Sequence, residues 1–238
     1  MSKRILLITG WGVGTAPLQP LQYVLQQQGH EVVCIDIFDP QQPEQAQQAL
    51  QHALQADVLV GWSLGGQLAL CLARTLWQTK GQTKPVIALA SNPCFVENEH
   101  WASAMPQAAF DTFEQQFLTD AAATLKQFYL NICRGQPQVK QNWLALCKNA
   151  NPPERSQLVT GLQHLRQLNL LEMLQHYPAP INFIFAEHDA LIPSKIVQEI
   201  AKIASKNVTV QVFEQAGHSF PAFCVEETLQ AITTLLDG

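Results

Sequence analysis

With 238 residues and a formal net charge of −5, the chain is long enough to bury one large core and carries no surplus of basic charge that would suggest a nucleic-acid partner. Hydrophobic residues make up 47% and charged residues 14%, which is apolar for a soluble protein. Yet no apolar run approaches the roughly 18 residues of a membrane span, so no membrane partner is expected.

The amino terminus, Met-Ser-Lys-Arg, passes straight into Ile5-Leu-Leu-Ile8, too short an apolar run for a signal peptide, so a cytoplasmic location is expected. Residues 4–9 then read as a buried strand that ends in the loop Gly10-Trp-Gly-Val-Gly14. A helix over Pro17–Gln28, closed by Gly29, leads to a second strand over Glu31–Ile37. The Gln-rich stretch 41–56 carries Ala46, Leu50 and Leu54 at helical spacing, and a third strand follows over Asp57–Val60. A helix over 65–78 and the strand Lys84-Pro-Val-Ile-Ala-Leu-Ala90 continue the alternation, which predicts an α/β protein: a mostly parallel sheet covered by helices on both faces.

From Asn92 to about Pro178 the strand signal gives way to helical apolar spacing, broken at Gly135-Gln-Pro137 and at Asn151-Pro-Pro153. This predicts a helical lid inserted at 92–178 into a core formed by 1–91 and 179–238. The sheet pattern resumes with Ile181-Asn-Phe-Ile-Phe185, a helix near 194–205, the strand Val208–Phe213 and a last helix over Cys224–Leu236. Six cysteines lie scattered without C-x-x-C spacing, so reduced thiols are expected rather than disulfides or zinc, and neither metal nor cofactor is implied.

Gly61-Trp-Ser63-Leu-Gly65 fits G-x-S-x-G at the junction of a strand and a helix, where the pattern has mechanical meaning: a sharp turn lifts the serine hydroxyl clear of the sheet. By itself it is compatible with a plain strand-to-helix link. A nucleophilic serine also needs a histidine to take its proton and an acid to orient that histidine, in the chain order serine, acid, histidine. Asp189, in Ala186-Glu-His-Asp-Ala-Leu-Ile-Pro193, and His218, in Gln215-Ala-Gly-His-Ser-Phe220, each follow a predicted strand, at the sheet edge where such folds place their sites. Asp36 and Asp39 precede Ser63, the wrong order for the acid. The N–H of Leu64 and that of Trp11 are the expected donors to a developing oxyanion. Gly10–Gly14 also imitates a dinucleotide-binding turn with Asp36 as the ribose acid, but Thr15 stands where the last glycine belongs and Trp11 fills the place of closest approach.

Gly10-Trp-Gly12, Gly61-Trp-Ser-Leu-Gly-Gly66 and Ala90-Ser-Asn-Pro-Cys-Phe95 with Trp101 beyond it together resemble the α/β-hydrolase superfamily. Within it, the chain resembles the pimeloyl-[acyl-carrier-protein] methyl ester esterases of biotin synthesis over most of its length. That resemblance implies an α/β-hydrolase fold and a triad of Ser63, Asp189 and His218. It also implies oxyanion and substrate contacts at Trp11 and Leu64, and acyl-chain contacts at Phe128, Tyr129, Leu130, Asn131 and Ile132. The implied partner is an acyl carrier protein, and a monomer is expected.

Charge patterning bears on that partner. Lys126, Arg134, Lys140, Lys148, Arg155 and Arg166 face a single acid, Glu154, in their stretch, a net +5, while the rest of the chain holds eight basic and eighteen acidic residues, a net −10. Such an island suits docking of an acidic carrier protein, with Lys126, Arg134, Lys140, Lys148 and Arg155 as candidate contacts. A broad short-chain carboxylesterase and a non-catalytic binding protein on the same fold are the competing expectations.

Overall fold

The computed structural model describes residues 1–203 and 205–237. Six apolar runs become strands: β1 (Arg4–Ile8), β2 (Glu31–Ile35), β3 (Val58–Trp62), β4 (Val86–Leu89), β5 (Ile181–Ala186) and β6 (Val208–Phe213). They form one sheet in the order β2-β1-β3-β4-β5-β6, every neighbouring pair parallel. Strands β3, β4 and β5 are buried throughout, with Asn182 of β5 the one polar side chain in these runs, whereas the edge strands β2 and β6 expose part of each run. The expected α/β-hydrolase sheet is therefore present.

Helices cover it. A short 3₁₀ turn, Ala16–Leu18, precedes α1 (Gln19–Gln27), and α2 (Pro43–Gln55) and α3 (Leu64–Lys80) follow β2 and β3. Between β4 and β5 lie α4 (Gln107–Thr119), α5 (Ala121–Cys133), α6 (Val139–Asn149), α7 (Arg155–Gln167) and α8 (Leu171–His176), with no strand of the sheet among them. The chain ends with α9 (Ile196–Ile203), α10 (Phe220–Phe223) and α11 (Val225–Asp237). The helix expected near 194–205 ends at Ile203, and Ala204 lies outside the described residues. Among the described residues no helix is long and apolar enough to cross a membrane.

Boundaries differ from the sequence expectations where side chains compete with the backbone ladder. The second strand stops at Ile35 rather than Ile37 because the Asp36 carboxylate accepts from the Ile37 N–H at 2.7 Å and turns the chain. The third strand runs on to Trp62, held by pairing of Gly61 with Ile8 and Ala88 and of Trp62 with Leu89. Asp120 divides α4 from α5, its carboxylate accepting from the Ala123 N–H at 3.0 Å as an N-cap.

The strand order fixes where a site can form. From β1 the chain first moves to one side to make β2 and then crosses back to make β3, so a crevice opens at the carboxyl ends of β1 and β3. α3 starts there and is buried without interruption from Leu64 to Ala73.

Candidate active site

Ser63 sits between β3 and α3 with φ 56° and ψ −121°, a backbone conformation that a non-glycine residue holds only at a cost of about 1–3 kcal/mol. The surrounding glycines are required by close approach. A Cβ on Gly61 would land on the Gly65 carbonyl, one on Gly65 would land on the carbonyls of Ile8 and Thr9, and one on Gly66 would come within 2.6 Å of the Ser91 Cβ. Two strand ends and a helix start thus pack backbone against backbone under the serine. Gly65→Ala is expected to destabilise the protein by about 1–3 kcal/mol, because backbone cannot yield as a side chain does. The check is a lower midpoint in urea unfolding at unchanged slope.

The same packing brings the first loop to the serine. A Cβ on Gly10 would lie 3.2 Å from the Ser63 Cβ, so the chain entering Trp11 passes directly beside it. Neither the Trp11 nor the Leu64 N–H takes part in a hydrogen bond among the described residues, and Leu64 heads a 17-residue helix, where unpaired N–H groups gather partial positive charge. The Trp11 ring is pinned: its Nε1 donates to the Leu158 carbonyl at 2.8 Å, and Phe113, Phe117 and Phe128 meet it edge to face with centroids 5.0–5.4 Å away.

His218 and Asp189 meet in the fold although 29 positions separate them. His218 Nδ1 and Asp189 Oδ2 are 2.8 Å apart, with side chains 1% and 2% exposed. Asp189 Oδ1 accepts from the N–H groups of Leu191 (2.8 Å) and Ile192 (3.0 Å), which fixes the carboxylate in its own turn. His218 Nε2 is buried and has no hydrogen-bond partner among the described residues. Trp62, the residue before Ser63, donates from Nε1 to the His218 carbonyl at 2.9 Å, tying the histidine loop to the strand that carries the serine. From the end of α5, the Ile132 carbonyl accepts from the Ser219 N–H at 3.0 Å, and the Arg134 carbonyl lies where any side chain on Gly217 would stand.

Ser63 and Asp189 open on a cavity of about 460 Å³. Its walls are mostly apolar: Phe110 and Phe113 of α4, Phe128 of α5, Leu165 of α7 and the loop Ala190–Pro193. The five-residue segment expected to contact an acyl chain divides by helical periodicity. Phe128 and Asn131, three positions apart, line the cavity. Tyr129, Leu130 and Ile132 do not: the Tyr129 hydroxyl donates to the Gly12 carbonyl at 2.7 Å, Leu130 is half-buried away from the cavity, and Ile132 is fully buried. The α4 part of the cavity wall, Phe110 and Phe113, lies outside the residues expected at the site, although with Phe117 they recur at helical spacing. Trp62 as a clamp on His218 has no local sequence signal at all.

The dinucleotide alternative finds no room. Helix α5 covers Gly12 through Tyr129, Asn151 occupies the space beside Gly14, and the Asn151 N–H and side chain bind Val13 and Ala16. Burial pushes the Asp36 carboxyl above its ordinary pKa, partly offset by hydrogen bonds from the Ile37 N–H and the Thr9 hydroxyl. Of the basic residues, Lys126, Arg134, Lys140, Lys148 and Arg155 are exposed in or between α5, α6 and α7. Lys126 stands 5.6 Å above the Trp143 ring, and Arg155 donates to the Leu118 carbonyl at 2.6 Å. Arg166 drops out of the basic island: Asp111 and Glu114 of α4 each hold it at 2.7 Å, over the Phe110 ring.

Comparison with known proteins places this arrangement. The model of the alpha/beta hydrolase family matches residues 5–231. A pimeloyl-[acyl-carrier protein] methyl ester esterase of Aliivibrio fischeri is 30% identical over 90% of this chain and 86% of its own. One from a Shewanella species is 28% identical over 98% of this chain and 90% of its own. Among solved structures, an esterase from Exiguobacterium antarcticum superposes with a TM-score of 0.82 at 16% identity, covering 100% of this chain and 92% of its own. A bromoperoxidase from Bacillus anthracis gives 0.81 at 17% identity, covering 100% and 93%. At these identities the structural likeness speaks for the fold alone.

Proposed function

The chain belongs to the alpha/beta hydrolase family, and from that premise we propose that it is a serine esterase that hydrolyses the methyl ester of a pimeloyl group held on an acyl carrier protein. The observation that carries the chemistry is the buried His218–Asp189 pair, tethered to the serine's own strand through Trp62 and left with a free Nε2. His218 takes the Ser63 proton as Oγ attacks the ester carbonyl, and Asp189 holds the imidazole in the tautomer that makes Nε2 a base. The Trp11 and Leu64 N–H groups receive the oxyanion, where one donor is worth about 10²–10³ in rate. Collapse expels methanol, protonated by His218, and water then releases the acid from Ser63 by the reverse proton path.

The substrate assignment draws on what the relatives are named for and on an apolar cavity whose size suits a medium acyl chain. In this proposal residues 92–178 act as a lid over the core formed by 1–91 and 179–238, and the exposed cations Lys126, Arg134, Lys140, Lys148 and Arg155 dock the carrier. The enzyme is a cytoplasmic monomer, and its unpaired cysteines fit a reducing compartment. A broad carboxylesterase is the second reading, favoured by cavity walls with few polar anchors.

Charge reversal separates the two. Arg134→Glu combined with Lys140→Glu is expected to lower kcat/KM for the carrier-bound ester about tenfold at low ionic strength, with the deficit shrinking as salt screens the field. A small methyl ester serves as the reference substrate. An unchanged ratio between the two substrates would remove carrier docking from this face.

A further inference from the structure

The reactive cavity has an electrostatic character that its hydrophobicity obscures. Among the described residues lining it, the single charged side chain is Asp189, whose oxygens are already engaged by His218 and by two backbone N–H groups. The mouth is polar but neutral, built from Thr112, Gln116 and Asn131, with Gln127 donating to Asn131 at 3.1 Å. Beyond the mouth a groove between α4 and α5 shares Thr112 and Gln116 with the cavity, and its two charged residues are acids, Asp111 and Asp120. Arg166, the cation behind the Phe110 wall, is held between two carboxylates. A substrate carboxylate drawn into this space would lose water and find no free cation, with Asp120 the one acid of the groove not paired to Arg166, and an unpaired buried charge of that kind is strongly disfavoured.

We propose that this cavity selects by charge: it takes methyl esters whose chain is uncharged along the whole length held inside, and it rejects chains that end in a free carboxylate. The proposal rests on the esterase reading of the same site and sharpens its substrate class to diesters, ester amides and ester thioesters of dicarboxylic acids. It gives the carrier linkage a second purpose, since a thioester masks the far carboxyl. It also gives product release a direction, because hydrolysis turns a neutral group into a carboxylate that the cavity does not hold.

The test uses the full-length protein and three methyl esters on one carbon skeleton: dimethyl pimelate, the methyl ester primary amide of pimelic acid, and monomethyl pimelate. At neutral pH the first two are expected to be hydrolysed with similar kcat/KM, and the free acid at least about tenfold more slowly. Gln116→Lys, on an exposed face of α4, is expected to raise the ratio of acid to amide hydrolysis by supplying a cation at the mouth. A free acid cleaved as fast as the amide would overturn the proposal. So would an amide as slow as the acid, which would mean that polarity rather than charge is sensed. If none of the three is cleaved while the carrier-bound ester is, the esterase reading stands and this proposal falls; if that ester too is untouched, both fail.

Discussion

Ser63→Ala is expected to lower kcat for every ester substrate by about 10⁶-fold while leaving the unfolding curve nearly unchanged. The structure gives reasons for both halves. Alanine keeps the Cβ that already packs against Gly10, and Ser63 makes no side-chain hydrogen bond among the described residues whose loss would unsettle the turn. The backbone strain at φ 56° is the same for either residue. On the proposed mechanism, what disappears is the oxygen nucleophile, and His218 is left with no proton to take. Labelling by a fluorophosphonate probe should vanish together with turnover. Persistent labelling of the variant would point to another nucleophile.

Asp189→Asn should come next in size, with kcat reduced by about 10⁴-fold and KM little altered. Asn can keep the hydrogen bonds from the Leu191 and Ile192 N–H groups through its oxygen, so the loop holds its shape. Its amide group then faces His218 Nδ1 as a donor, which drives the imidazole proton to Nε2 and turns the proposed base into a donor. Asp36→Asn provides the contrast. Asp36 lies at the end of β2, bonded to Thr9 and Ile37, and its replacement should leave kcat within about a factor of three. Equal losses in the two variants would contradict the assignment of the acid.

Much of this was written locally. The central strands β3, β4 and β5 are apolar runs broken only by Asn182 because both faces of a parallel sheet are covered, so their existence is visible without tertiary information. G-x-S-x-G is equally legible as a five-residue pattern, although only the approach of Gly61 to Gly65 lies within it and the demand on Gly65 comes from the carbonyls of Ile8 and Thr9. The breaks at Gly135 and at Pro152–Pro153 open the gaps on either side of α6, as turn chemistry requires. What the sequence hid depends on contacts between distant segments. Trp62 reaches across 156 positions to the His218 carbonyl, and Arg166 loses its availability to two acids more than fifty residues earlier. Tyr129, expected at the acyl chain from the resemblance alone, turns away because the helix carries it to Gly12. A count of basic residues along the chain registers none of this pairing, and so the island is smaller in space than it is in sequence.

The most direct test of the central claim is an intact mass measurement on the carrier. Acyl carrier protein bearing the pimeloyl methyl ester is incubated with the wild-type protein or with Ser63→Ala, and the carrier is weighed afterwards. The wild type should remove one methylene equivalent, converting the terminal methyl ester to the acid with the thioester intact, and Ser63→Ala should leave the mass unchanged. A carrier that keeps its methyl ester under conditions where dimethyl pimelate is cleaved, or one that loses the entire acyl arm, would contradict the account.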